Sequence, residues 1–589
     1  MLSKRTARVL ATLLVAGSLT VTAAGCSSNS AGKSAGSGSG SGPGFGQQQE
    51  AVAIGTAAQS SGADPAIPGA KSGGTVTELQ RADFSHLDPA RVYSSTNQMA
   101  DLLLTRQLTS YQWVDGKNTL VGDLATDTGR SSDGAKTWTY TLKDGLKYED
   151  GSPITAQDVK YGIERTFQAE LSGGPQYLQM WLTGSSDFSK VYPGPWGGQD
   201  LPAIETPDAK TIVFHLKSPH ADFPFAAAMQ SYSPVPKAKD THAAFDQHPF
   251  SSGPYKVLSH DAGKSLELVR NTYWDPTTDP TRHAYPDKWN FEFGGQNLDI
   301  DQRLIAAKGE DADAMAFRTQ VTPDLAEQVM SDPSLKSRTV DSVNPFTEYF
   351  SINNKRVTDV KERQALLMAF PKEQVRKIFG GPLYGDFSTT FLSPQVNGYH
   401  KFDLFGAPNT GDPAAAKKLL ATSANPHPTI VYAYANTDQW QQAAVVISNA
   451  LTAAGFNVVK HPISDQNYYD EMGAVDNPFD LYWAGWGPDW PSPTSVIAPI
   501  FDGRGIAPAG ADTMLFNDPQ VNSEIDRISA EPDLDQQNKD WSKLEEKIMA
   551  EVPAIPWVYS RLVVMYGPGL GGVHLGMIGT VYPLDVYVK

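Results

Sequence analysis

The chain has 589 residues, 40% of them hydrophobic and 10% aromatic. That is too long for one core and too apolar for a disordered chain, so two or three globular domains are expected. Its formal net charge of −17 argues against nucleic acid as a partner, and its only cysteine, Cys26, leaves no intramolecular disulfide, so stability must come from packing.

At the N-terminus Lys4, Arg5 and Arg8 precede an apolar run from Val9 to Ala24, which suits a signal peptide and is short for a membrane span. It ends in AAGC, which resembles a lipoprotein signal, with cleavage before Cys26 and acylation of its sulfur; Ala23 stands where that motif more often has Leu. Residues 1–25 are expected to be signal peptide. Residues 26–72, rich in Gly, Ser, Ala and Gln, are expected to be an acylated cysteine followed by a flexible tether. A G-x-S-x-G match at Gly32 to Gly36 falls in this tether, where the strand and helix that a nucleophile elbow needs are not available.

The folded part is expected to begin near Gly74. TVTEL (75–79) alternates like a strand, and TWTYTLKDGLKYED (137–150) reads as two strands around a turn at Asp144-Gly145. The segment after Pro153 reads as a helix, with Val159, Ile163 and Phe167 at helical spacing. TIVFHL (211–216) is a strand, and residues 253–271 read as a hairpin closed around Asp261 to Gly263. Two helices are expected over 360–379, separated by Pro371, and a short amphipathic one over 412–421. TIVYAYA, WQQAAVVISNALTAAG and FNVVKHPIS give strand, helix and strand, a βαβ unit with a right-handed crossover. FDLYWAG reads as a strand that delivers GWGPDWPSPT as a loop. Strands and helices alternate throughout, so the fold class is α/β with mixed sheets flanked by helices.

GDLATDTGRSSDGAKTWTYTLKDGLKYEDGSPITAQDVKYGIERT (122–166) resembles the signature block of the family 5 extracytoplasmic solute-binding proteins of ABC transporters, which bind peptides, dipeptides or nickel. HLDPA (86–90), SSGPYKV (251–257, with Ser252 for the usual Thr), FSINNKRVTDVKERQALLMAF (350–370, lacking the usual Pro), FNDPQVNSEIDRI and VPAIPWV follow in the family's order. The resemblance implies a periplasmic-binding-protein-like clamshell of two lobes, with ligand held between them and buried by hinge closure. Lobe I is then expected over 73–340 with an extra subdomain at about 95–235, lobe II over 341–557, and a return to lobe I over 558–589.

The segment Gly485, Trp486, Asp489, Trp490, Pro493, Thr494 is similar to the family's cleft loop, where the matching aspartate pairs with the free α-amine of a peptide. A carboxylate in a closed cleft, short of water, gains from a charge-assisted bond to an ammonium; the plainer reading is a loop aspartate capping a turn. Trp486 would be a cleft wall or a core residue. Trp483 stands near where oligopeptide binders carry an Arg that meets the peptide's acidic end, which leaves that recognition without a residue. Asp83 and Phe84 precede the L-D-P segment and are implied to line the cleft from lobe I, against a plain solvated loop. Tyr93, Asn97 and NYYD (467–470) are weaker candidates.

No zincin, Walker or paired-cysteine motif is present, and no His pair has metal-ligand spacing, so no catalytic residue, metal or cofactor is expected. The implied function is a monomeric, lipid-anchored binding protein on the outer face of the cell membrane. It would capture a small solute, a peptide above all, and deliver it to an ABC permease with separate ATPase subunits. An oligosaccharide binder using Trp483, Trp486 and Trp490 as platforms, and an exported hydrolase, remain the alternatives.

Overall fold

The computed structural model describes residues 52–114, 117–507, 510–576 and 579–589. The signal peptide, Cys26 and the tether up to residue 51 lie outside the described residues. Among the described residues no helix is long and apolar enough to cross a membrane.

Lobe I is built on a five-stranded sheet in the order Ala314–Met315, Thr75–Leu79, Lys288–Glu292, Ser265–Arg270, Tyr255–Asp261. The last two strands are the expected hairpin, antiparallel with a bulge at Glu267/Leu268. Beside it lies a smaller four-stranded sheet, Arg130–Ser132, Thr137–Thr141, Thr211–His215, Ile204–Glu205, whose core includes Trp138, Tyr140, Phe214 and Phe223. The second strand expected at 146–150 does not form. Turns at Asp144-Gly145 and Glu149-Asp150 leave too few residues between them, and only an isolated bridge from Lys147 to Pro153 survives. The helix Ala156–Arg165 does form, with the Asp158 carboxylate accepting from the Thr155 backbone N–H at 2.9 Å.

Lobe II carries a six-stranded sheet in the order Gly385–Phe387, Ala554–Met565, Thr339–Ile352, Leu481–Trp486, Thr429–Ala435, Asn457–Ile463. Thr429–Ala435 and Asn457–Ile463 are parallel and joined by the helix Asp438–Ala454, so the expected βαβ unit is present. The helices Val360–Ala369 and Lys372–Ile378 flank Pro371 as read from the sequence.

Two long strands, Thr339–Ile352 and Ala554–Met565, run antiparallel at the junction of the lobes. Their register breaks between Val343, opposite Arg561, and Thr347, opposite Tyr559. Three residues, Asn344, Pro345 and Phe346, thus face one. Proline has no N–H for the ladder, so Pro345 belongs in such a bulge. The far end of Ala554–Met565 turns to lobe I: the Ala316 and Val321 amides donate to the carbonyls of Met565 and Val563.

One expectation is corrected. Residues 52–72 are not free tether but lie on the fold. Ala53–Ile54 pairs in parallel with Thr119–Leu120 of lobe I, while the side chain of Asn397, in lobe II, accepts from the Val52 N–H at 2.9 Å and donates to the Val52 carbonyl at 3.1 Å. Ser60 is fully buried and accepts from Gly122 N–H. The apolar Val52, Ile54 and Ile67 were the sequence signal; the small polar residues around them masked it.

Candidate cleft site

The strand Leu481–Trp486 sends successive side chains to opposite faces and is buried on both faces at its start, becoming exposed at Gly485. Tyr482, Ala484 and Trp486 take one face. Leu481, Trp483 and Gly485 take the other, and the register puts Gly485 opposite Glu348 on that same face. Trp483 donates its indole N–H to Glu348 Oε2 at 3.0 Å, and the Tyr384 hydroxyl donates to the same oxygen at 2.7 Å. Burial raises the Glu348 carboxyl to about 7 against these two donors. Trp486 is half-buried, and its indole N–H goes to the Ser495 carbonyl at 2.9 Å.

Past Trp486 the chain leaves the sheet through Gly487. A Cβ there would come within 2.5 Å of the Phe346 ring, so only glycine permits this approach. Asp489 follows and meets lobe I: Tyr93 donates its hydroxyl at 2.9 Å, and Tyr177 donates to the same carboxylate oxygen. Burial lifts the Asp489 carboxyl to about 6, with both tyrosines opposing the shift. The two hydroxyls are themselves pushed up by burial and by the carboxylate, so they stay protonated donors. A small cavity of about 40 Å³ opens beside Asp489, lined among others by Gln98, Tyr111, Asn118, Met229 and Tyr582. The Tyr111 hydroxyl and the Asn118 amide nitrogen are buried there without a hydrogen-bond partner among the described residues.

The residues singled out from sequence therefore separate. Asp489 meets lobe I through Tyr93 and Tyr177, whereas Trp483 and Trp486 pack on the lobe II core and Gly485 is exposed on the strand between them. Trp490 is corrected as a cleft platform. It is 2% exposed, donates to Asp222 Oδ2 at 2.8 Å, and sits edge-on to Tyr177 (4.5 Å) and Trp181 (6.0 Å) in the core of the lobe I subdomain. Asp83 and Phe84 are corrected likewise. Asp83 is taken up by His260 Nε2 (2.9 Å) and Gly263 N–H (2.8 Å), and Phe84 packs edge-on to Phe291 and Phe293. Asn97 holds the same loop through Ser85. The sequence reading missed Tyr177, Glu348 and Tyr384. Each lies far along the chain from the residue it meets, and none carries a local motif.

Sequence spacing also gave no hint of Asp64, His283 and Asp585, whose potential ligand atoms lie within 4.8 Å of one another. His283 Nδ1 bonds Asp585 at 2.8 Å and faces Asp64 at 3.6 Å, and against the cost of burial these carboxylates raise the imidazole above its ordinary pKa. The group ties the 52–72 segment to the C-terminal residues.

Two α/β lobes joined by paired long strands, with a polar aromatic loop of one lobe set against the other, define a clamshell solute-binding protein. The sequence model for bacterial extracellular solute-binding proteins, family 5 middle region, matches residues 119–508, and the chain belongs to that family. A probable D,D-dipeptide-binding periplasmic protein, DdpA of Escherichia coli K12, is 24% identical over 500 residues, 82% of this chain and 87% of that protein. The glutathione-binding protein GsiB of Salmonella paratyphi A is 21% identical over 515 residues, 83% of this chain and 90% of that one. Among solved structures, clavulanic acid biosynthesis oligopeptide binding protein 2 superposes with a TM-score of 0.82 at 29% identity, covering 91% of this chain and 99% of that chain. DppA from Helicobacter pylori in complex with the peptide STSA superposes at 0.69 and 18% identity, over 88% of this chain and 99% of that one, a likeness of fold.

Proposed function

We propose that the protein is an extracytoplasmic, lipid-anchored binding protein that captures short peptides between its lobes and hands them, unaltered, to an ABC permease. The observation that carries this is Asp489, a buried carboxylate held at the lobe boundary by Tyr93 and Tyr177, where a peptide ammonium would be its natural counter-charge. The peptide and oligopeptide binders among its relatives support the ligand class. Closure follows from differential affinity: a ligand that touches both lobes only when they are shut shifts the population toward the shut form, which docks on the permease. Anchoring through Cys26 rests on its sequence setting alone.

The oligosaccharide reading is the weaker one, because Trp490 is spent in the subdomain core and the Trp483 and Trp486 indole N–H groups already have protein acceptors. The test is calorimetry with a pooled tripeptide library: Asp489→Asn should weaken binding by about 2–5 kcal/mol, the cost of stranding one partner of a buried charge pair. Unchanged affinity would sink the amine role.

A further inference from the structure

The half-buried and buried arginines of this protein are almost all occupied. Arg106 and Arg282 pair with Asp123 and Asp279, Arg165 with Asp88 and Asp240, and Arg561 with Asp341. Arg338 and Arg363 donate to backbone carbonyls. Arg318 differs. It follows the edge strand Ala314–Met315 of lobe I and is half-buried, yet among the described residues its guanidinium makes no hydrogen bond and no ion pair. Its guanidinium carbon lies 5.5 Å over the ring of Phe346, the bulge residue that packs against Gly487. Five N–H donors in a forked plane are thus held at the lobe junction, beside the loop that carries Asp489.

Glu348 sits within the field of Arg318 but does not join it in an ion pair. Both of its protein donors, Tyr384 and Trp483, use Oε2, and Oε1 has none among the described residues. Opposite Glu348 on the sheet stands Gly485, exposed and without a side chain to close the space. A cation and a carboxylate oxygen therefore stand near one another at the lobe junction with bonding capacity that no protein group among the described residues uses. A partly buried charge gains from a partner that another molecule supplies.

We propose that Arg318 is the anion-recognition residue of the cleft, taking a carboxylate of the bound peptide through its forked N–H donors, while Glu348 Oε1 accepts an N–H from the same end of the ligand. This rests on the peptide reading above and adds the second pole to it: Asp489 takes the ammonium, Arg318 the carboxylate. Arg318, Phe346, Gly487 and Asp489 follow one another through direct contacts or two chain positions. These contacts put the two poles no farther apart than roughly 20 Å, the span of about six extended residues. The ligand class is a short zwitterionic peptide.

The carboxylate could be the C-terminus or an acidic side chain, and the test separates them. The full chain is presented with a tripeptide library in three forms, free-ended, C-terminally amidated and N-acetylated, and retained peptides are read by native mass spectrometry and competition. The wild type should retain free-ended peptides at least tenfold better than amides. Arg318→Gln, with its melting point checked against wild type, should lose that preference and bind both forms equally and weakly, while Arg318→Lys should keep part of it. Amides retained only when they carry Asp or Glu would assign the carboxylate to a side chain. Equal retention of acids and amides by wild type, with N-acetyl peptides still rejected, overturns the Arg318 role and leaves the peptide reading standing. Retention of no peptide in any form overturns both.

Discussion

Asp489 is held in a state that costs the unliganded protein something. Its carboxyl is raised to about 6 from an ordinary value of 3.8, because burial penalises the charge more than Tyr93 and Tyr177 repay it. An acid whose folded pKa lies above its unfolded value lowers stability as pH rises between the two. Ligand-free Asp489→Asn should therefore be more stable than wild type at pH 7, by roughly 1–3 kcal/mol, with the gain gone below about pH 4; denaturant melts at both pH values check this. Peptide binding has the opposite dependence. An ammonium needs the ionised carboxylate, so affinity should fall as pH drops through about 6, and titration calorimetry at pH 7.5 and 5 reads it. Stability and binding pull apart at this one residue. The identity of Asp489 was legible in the sequence, because its spacing from Trp486 and Thr494 is local. Its partners were not, since Tyr177 reaches it across 312 positions.

At the scale of elements, local pattern carried the strands and helices that bury one face. The βαβ unit of lobe II and the 253–271 hairpin follow from periodicity and turn residues that any window of the chain contains. The failures share a cause. Residues 146–150 have strand composition but sit between two turns. Residues 52–72 have tether composition yet find an edge to pair with, since Ala53–Ile54 docks on Thr119–Leu120 and Asn397 brackets Val52 with two hydrogen bonds. Those two bonds bridge lobe I to lobe II. Asn397→Ala should loosen the segment by about 1–2 kcal/mol locally. Hydrogen exchange should show faster amides at Val52 to Gly55 with little change in the lobe II sheet; unchanged protection would mean that the segment is held elsewhere.

At the scale of the whole molecule, the proposed closure turns on how the loop after Trp486 sits on lobe I. Trp490 belongs to the lobe II loop but is part of the subdomain core of lobe I, with Asp222 on its indole N–H. That single side chain contributes to holding the lobes together before any ligand does. Trp490→Ala removes a fully buried ring at a cost of about 3–5 kcal/mol, and that loss falls on the closed form. The variant should show a larger radius of gyration in solution scattering without ligand, and a peptide affinity about a hundredfold to a thousandfold lower, since each 1.4 kcal/mol is a factor of ten. An unchanged radius would show that the loop does not govern closure. The bulge at Asn344 to Phe346 is where the paired long strands can flex, since its residues are outside the regular ladder.

The sequence by itself displayed an α/β alternation, read from periodicity and turn residues that a linear chain shows directly. Its motifs also resembled those of the family 5 solute-binding proteins, and that resemblance implied the two lobes and a cleft loop carrying Asp489. Only the tertiary structure decided that Trp490 is buried in the lobe I subdomain, that Asp83 and Phe84 serve lobe I packing, and that Arg318 and Glu348 stand near one another without an ion pair. Those outcomes depend on which face of a strand turns inward and on which distant groups are left without partners. No residue carries that information until the two lobes are folded against each other.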